Sequence, residues 1–274
     1  MKTWLITGAS SGLGQILTER LLDRGDKVFA TVRQEQALLE LAAKYPGQLN
    51  IVIFDLTDLE TMRRKIDEVF ASERVDFVVS NAGYGLFGAI EEASDAQIER
   101  QVGTNLLGSI HFIRATLPHL RKQGGGRIIQ VSSEGGQTTY PGFGYYHASK
   151  WGIEGFVETL AQEVAAFGID CMIVEPGPTG TGFATNLDLA EPIPDYDASP
   201  VGKTRRGFAD GSFEVKGDAE RSVELLIDTA VSANPPLRLA LGSAAYERIS
   251  ASLEKRLTEV RKQKETAYAA DRIR

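Results

Sequence analysis

The sequence predicts an α/β fold, a single-domain doubly wound parallel sheet of about seven strands with helices on both faces. Three observations predict it. Short apolar runs alternate with helical patterns along the chain, as parallel strands joined by crossover helices do. The first run passes straight into a glycine-rich turn that opens a helix. Gly8, Asp55, Asn81, Ser133 and Pro176 each follow an apolar run, and ligands of such sheets bind beyond the carboxyl ends of the strands.

Strands are expected at 2–7, 27–32, 49–54, 75–80, 126–132, 169–175 and 237–242, and helices near 12–24, 34–45, 58–72, 95–123, 146–167 and 217–233. The first strand runs into Gly8-Ala9-Ser10-Ser11-Gly12-Leu13-Gly14. Leu13, Ile16, Leu17 and Leu21 then recur at helical spacing until Gly25 ends the helix. Such glycines let the backbone approach a pyrophosphate, whose charge the free N–H groups and positive dipole end of the helix bind. Residues 178–216 hold many Gly, Pro and Asp and no clear period, so they read as a long loop. The expected organisation is one domain over 1–242 with that loop inserted, then an exposed helical extension over 243–274.

A chain of 274 residues, 42% hydrophobic and 24% charged, can bury a sizeable core. Its net charge of −7, with basic residues scattered among acids, offers no nucleic-acid surface. No apolar run is long enough for a signal peptide or a membrane span, so a cytoplasmic protein is expected. Cys171, the only cysteine, sits in an apolar run that predicts a buried strand position. His111, His119 and His147 are too few and too badly spaced for zinc, and no metal is expected.

The chemistry centres on Tyr146 and Lys150, four residues apart and so on one face of a helix. A cation within about 4 to 6 Å favours phenolate and lowers a phenol's pKa from near 10 toward the working range. Tyr146 is then able to give and reclaim a proton. Tyr145 meets Ser149 at the same spacing and lacks such a partner.

These features together resemble the short-chain dehydrogenase/reductase family over residues 1–242. Gly8-xxx-Gly12-x-Gly14 is similar to the glycine pattern of its short, single-domain Rossmann-like branch, which includes hydroxysteroid and retinol dehydrogenases. Ser80-Asn81-Ala82-Gly83 resembles the family's Asn-Asn-Ala-Gly turn, with Ser for the first Asn. Asn105 matches its helix asparagine, Ser133 precedes Tyr146 by thirteen residues, and Pro176-Gly177-Pro178-Thr179-Gly180-Thr181 resembles its Pro-Gly-xxx-Thr segment.

The resemblance implies hydride transfer between a nicotinamide dinucleotide and an alcohol or carbonyl, with Tyr146 as general acid in reduction and general base in oxidation. It implies that Lys150 bonds the nicotinamide ribose, Ser133 holds the substrate oxygen and Asn105 holds a relay water leading to Lys150. Successive strand residues face opposite sides, and the family spacing selects Ser133 over Ser132. Implied cofactor contacts are Gly8, Ser10, Ser11, Gly12, Leu13, Gly14, Asp55, Leu56, Asn81, Ala82, Gly83, Tyr146, Lys150, Pro176, Gly177, Thr179 and Thr181. For Asp55, an adenine contact and a helix N-cap role near 55–58 both stand open.

The second strand ends in Thr31-Val32-Arg33, with no acid for a ribose hydroxyl and a guanidinium suited to phosphate. Arg33 therefore points to NADP over NAD, and the resemblance to NADP-preferring hydroxysteroid dehydrogenases implies a further hydrogen bond from Ser11. The loop 178–216 is expected to close over the nicotinamide end, with Phe183, Leu187, Leu189, Ile193 and Tyr196 joining Phe87, Tyr140 and Phe143 around an apolar ketone or aldehyde. Solvent exposure is the expected fate of Lys203, Arg205 and Arg206. Family analogy implies a homodimer or homotetramer pairing through the helices near 95–123 and 146–167. The competing readings are an NADP-sensing binding protein with little catalysis, an NAD-dependent alcohol dehydrogenase and an enoyl reductase. Sensors typically lose the tyrosine or lysine kept here, and enoyl reductases shift their spacing.

Overall fold

The computed structural model describes residues 1–272. In chain order its strands are β1 (Thr3–Thr7), β2 (Lys27–Val32), β3 (Leu49–Ile53), β4 (Phe77–Ser80), β5 (Leu86–Phe87), β6 (Gly126–Val131), β7 (Ile169–Pro176), β8 (Asp188–Leu189) and β9 (Arg238–Leu241). The helices are α1 (Gly12–Asp23), α2 (Leu39–Lys44), α3 (Leu59–Ser72), α4 (Asp95–Val102), α5 (Ser109–Lys122), α6 (Gly144–Val164), α7 (Pro200–Ala209), α8 (Ala219–Val231), α9 (Ser243–Lys262) and α10 (Lys264–Ala269).

Seven strands form one parallel sheet in the order β3-β2-β1-β4-β6-β7-β9. Burial on both faces explains why these strands read as apolar runs. Trp4 and Ile6 pack in one layer with Leu17 and Leu21 of α1 and Leu226 of α8. Leu5, between them in sequence, points the other way and joins Met62, Phe112 and Ile153 from α3, α5 and α6. Trp4 stacks on Phe77 at 3.9 Å and its indole N–H donates to Asp26. The strand order reverses between β1 and β4, and a crevice opens there beyond the carboxyl ends.

Three elements differ from the sequence expectation. The helix over 95–123 is interrupted at Gly103–Gly108 by a π-helical segment that carries Asn105. The helix over 34–45 begins as a 3₁₀ turn at Glu35–Leu38 before α2. Residues 178–216 are not an unstructured loop, because they contain α7 and β8, the latter paired with β5. The start of α7 follows from capping chemistry: Ser199 Oγ accepts the Val201 and Gly202 N–H groups, and Pro200 occupies the first turn, where its missing N–H costs nothing. Cys171 is buried in β7. Among the described residues, no helix is long and apolar enough to cross a membrane.

Candidate active site

A cavity of ≈ 1040 Å³ lies in the crevice, and every site residue named from the sequence lines it except Gly14 and Asn105. Thr7, at the end of β1, positions its floor. Thr7 Oγ1 accepts the Asn81 and Ala82 N–H groups, while Asn81 Nδ2 donates to the carbonyls of Thr7 and Gly8. Gly8 has φ +68°, and a Cβ there would stand 2.8 Å from Ala82 Cα, so only glycine allows this approach of β1 to β4. Gly14 lies beneath, against the Gly8 carbonyl, which is why it does not line the cavity. Ser80 Oγ, which stands where the family has Asn, is buried without a partner.

A dinucleotide fits these residues. Gly12 has φ +55°, and a Cβ there would meet nothing nearer than Thr181 at 3.9 Å, so the turn faces open cavity. Ser11, the N-cap of α1, makes no side-chain capping bond, which leaves the first-turn N–H groups free of a capping side chain for an anionic ligand. Arg33 is exposed at the rim. Against burial, the hydrogen bonds from Thr57 and, after them, the Arg33 charge lower the Asp55 carboxyl. Asp58, not Asp55, caps α3 by accepting the Thr61 N–H. Asp55 lines the cavity and accepts from the Thr57 N–H and hydroxyl at 2.8 and 2.6 Å.

Tyr146 and Lys150 share the buried face of α6, with Lys150 Nζ 5.7 Å from the Tyr146 ring and donating to the Val131 carbonyl at 3.0 Å. Ser132 and Ser133 diverge as strand geometry requires. Ser132 Oγ donates to Glu154, whereas Ser133 Oγ accepts the Gly135 N–H and lies within hydrogen-bonding reach of the Tyr146 phenol. The expected depression of the phenol's pKa is not found. Burial pushes Tyr146 up to about 12, against the Ser133 hydrogen bond, and the charges of Glu134 and Glu154 push the same way as burial. Lys150 is itself lowered to about 8 by burial, with Glu154 opposing. Desolvation of both groups therefore outweighs their attraction.

Asn105 is 1% exposed and does not reach the cavity. Its side chain is committed to Tyr84, accepting the N–H at 3.1 Å and donating to the carbonyl at 2.8 Å, which fixes the turn after Gly83. His147, set aside in the sequence as a metal ligand, holds the segment facing Tyr146. Its Nδ1 donates to the Gly135 carbonyl at 2.8 Å and Nε2 accepts the Tyr140 N–H, while burial lowers its pKa and keeps it neutral.

The substrate end is aromatic. Phe183, Leu187, Tyr140 and Phe143 line the cavity as expected, joined by Phe208 and Phe213, which reading the region as loop had hidden. Leu189, Ile193 and Tyr196 do not line it, and Phe87 stands behind the wall, edge-on to Phe143 at 5.2 Å and to Phe208 at 5.3 Å. Arg205 is not a solvated charge, because it pairs at 2.6 Å with Glu92, whose side chain is 0% exposed. Glu134 and Glu154 were also missed. Only the four-residue step from Lys150 to Glu154 was visible in sequence.

Residues 2–192 match the model of the short chain dehydrogenase family. The chain is 35% identical over 251 residues to oxidoreductase BOA17 of Botryotinia fuckeliana, covering 90% of each. It is 36% identical over 188 residues to a 3-ketodihydrosphingosine reductase of Bacteroides thetaiotaomicron, covering 68% of this chain and 67% of that one. A crystal structure of a short-chain dehydrogenase from Streptomyces avermitilis superposes with a TM-score of 0.88 at 34% identity, covering 98% of both chains.

Proposed function

The chain belongs to the short-chain dehydrogenase family, and on that premise we propose that it is an NADP(H)-dependent oxidoreductase acting on an alcohol/carbonyl pair. The carrying observation is that one cavity joins the glycine turn at α1 to Ser133, Tyr146 and Lys150. The dinucleotide, when bound, supplies or accepts the hydride. Gly8, Ser10, Ser11, Gly12 and Leu13 hold its pyrophosphate through backbone N–H groups, and Arg33 holds a 2′-phosphate. Lys150 orients the ribose from its buried position beside Tyr146.

Ser133 donates a hydrogen bond to the carbonyl oxygen, where negative charge develops during reduction. Tyr146 delivers its proton to that oxygen in reduction and removes it in oxidation. A phenol raised to about 12 is a fully loaded donor at neutral pH, which favours the reductive role for the resting site. The aromatic walls exclude water and favour an apolar ketone or aldehyde. The name of the Bacteroides relative, 3-ketodihydrosphingosine reductase, agrees with a ketone as the group reduced.

Following NADPH absorbance against a panel of apolar ketones and aldehydes tests the reading. Consumption with at least one, faster than with NADH, is expected. Nucleotide binding without turnover across the panel assigns the protein to the sensor class instead.

A further inference from the structure

α9 packs on the domain with one face and leaves another bare. On the packed face Ala245 and Ile249 are buried, Arg248 donates to Glu134, and Ser252 Oγ and Arg256 donate to the Gln137 carbonyl. The Arg256 guanidinium lies over the Trp151 ring at 4.8 Å. Beside that face stand Tyr246, Leu253, Leu257 and Val260, each between 46% and 68% exposed. At about 3.6 residues per turn these four fall within roughly 60° of arc. Tyr268 of α10 is exposed as well and prolongs the stripe. Every residue from Leu257 to Arg272 is exposed, so no described part of the chain covers this end.

Most helical stability comes from tertiary packing, and a run of about a dozen residues is marginal alone in water. The bare end of α9 with α10 is such a run, and a contiguous exposed apolar stripe marks a contact surface. Three features name its occupant. The stripe is close to symmetric about Leu257, with Tyr246 and Tyr268 eleven residues before and after it, Leu253 four before and Val260 three after. Two copies running antiparallel therefore set Tyr246 against Tyr268 of the second copy and Leu257 against its Val260. The flanking charges match in that register. Glu254 and Arg261 border the stripe on the side away from the packed face, and they meet across the pair twice by symmetry. A parallel pair would bring Arg261 to Arg256, like against like. Last, Glu247, Glu254, Glu259 and Glu265 offset Lys255, Arg261, Lys262 and Lys264, and the whole chain carries −7. A helix that lies on an anionic lipid surface is instead rich in Lys and Arg on its polar face.

We propose that this stripe is an interface between two copies of the chain, α9 and α10 of one lying antiparallel to those of the other about a two-fold axis at Leu257. Each α10 then covers the first half of α9 of the second copy, where Tyr246 stands bare in the single chain. This surface differs from α5 and α6, through which family analogy pairs subunits.

Sedimentation velocity of the full chain across a dilution series tests the pairing. Leu257→Asp and, separately, Glu254→Arg should each weaken one association step by about tenfold or more, because a buried or opposed charge counts twice in a symmetric pair. Glu254→Arg combined with Arg261→Glu should recover most of that loss, which a mere defect in the helix would not do. Glu254 and Arg261 are exposed, so the charge variants leave the core untouched. A wild type that stays monomeric throughout, single variants that associate as the wild type does, or a double variant no stronger than Glu254→Arg alone overturns the proposal. Cosedimentation of the wild type with vesicles of phosphatidylcholine and phosphatidylserine in equal parts, lost in Leu257→Asp, overturns it as well by giving the stripe to a lipid surface. The charge variants decide the matter even where Leu257→Asp does not fold.

Discussion

Glu154 lies one turn beyond Lys150 on α6, and both are buried, 2% and 6% exposed. Glu154 accepts from Ser132 Oγ and from Arg238 of β9, and Arg238 also meets Glu175 of β7 and the half-exposed Glu158. Gln137 donates to Glu175, whose carboxyl burial raises to about 7. Burial raises the Glu154 carboxyl as well, against the Ser132 and Arg238 bonds and the Lys150 charge, so two buried carboxyls share one guanidinium and Lys150 is the buried cation nearest to Glu154.

This arrangement makes a pH prediction for Glu154→Gln. Burial sets Lys150 to about 8 with Glu154 opposing, so removing the carboxylate lowers Lys150 further. With protonated Lys150 as the active form, the alkaline limb of the reduction pH–rate profile should move to lower pH, by about one unit. A simple packing defect would lower the rate equally at every pH. An unmoved limb would show that Glu154 does not hold the charge of Lys150.

Tyr146→Phe removes the proton donor and little else, because the ring keeps its contacts with Phe143 and Phe183. Turnover should fall by about 10² to 10⁴, the usual range for a lost general acid. Nucleotide affinity, read by fluorescence titration, should change by less than about threefold. Retained turnover would remove Tyr146 from the mechanism.

The sheet and the cofactor turn were legible because their signals are local. Apolar runs mark strands buried on both faces, and the glycines stand beside the strand they terminate. Pairings across long sequence distances left no such trace, as with Arg205 and Glu92 or Arg248 and Glu134. The Ser199-Pro200 start of α7 was a readable capping signal, outweighed by the surrounding Gly, Pro and Asp. The titration of Tyr146 was misjudged because spacing reveals a neighbouring charge but not the desolvation of both groups.

Arg33→Asp should reverse nucleotide choice. The guanidinium stands at the rim after β2, and a carboxylate there suits a ribose hydroxyl and repels a 2′-phosphate. The ratio of kcat/KM for NADPH over NADH should drop by at least about tenfold, mostly through KM. An unchanged ratio would locate cofactor discrimination elsewhere in the turn.

Arg205→Met tests how α7 is held over the substrate end. Glu92 accepts the Ala89 and Ile193 N–H groups as well as Arg205, and these bonds outweigh burial and keep its carboxyl below the ordinary range. Removing the guanidinium leaves a carboxylate with 0% exposure facing no cation. The cost should be about 3 kcal/mol, the low end for a broken buried pair because Arg205 is 24% exposed. Phe208, three residues along α7, packs against Phe213 with tilted rings 4.4 Å apart and forms part of the apolar wall. Release of α7 should therefore raise KM for apolar ketones more than it lowers kcat. It should also speed amide exchange in residues 193–213 while the sheet stays protected. Unchanged exchange there would mean that packing of Val201 and Phe208, and not the ion pair, keeps the wall in place.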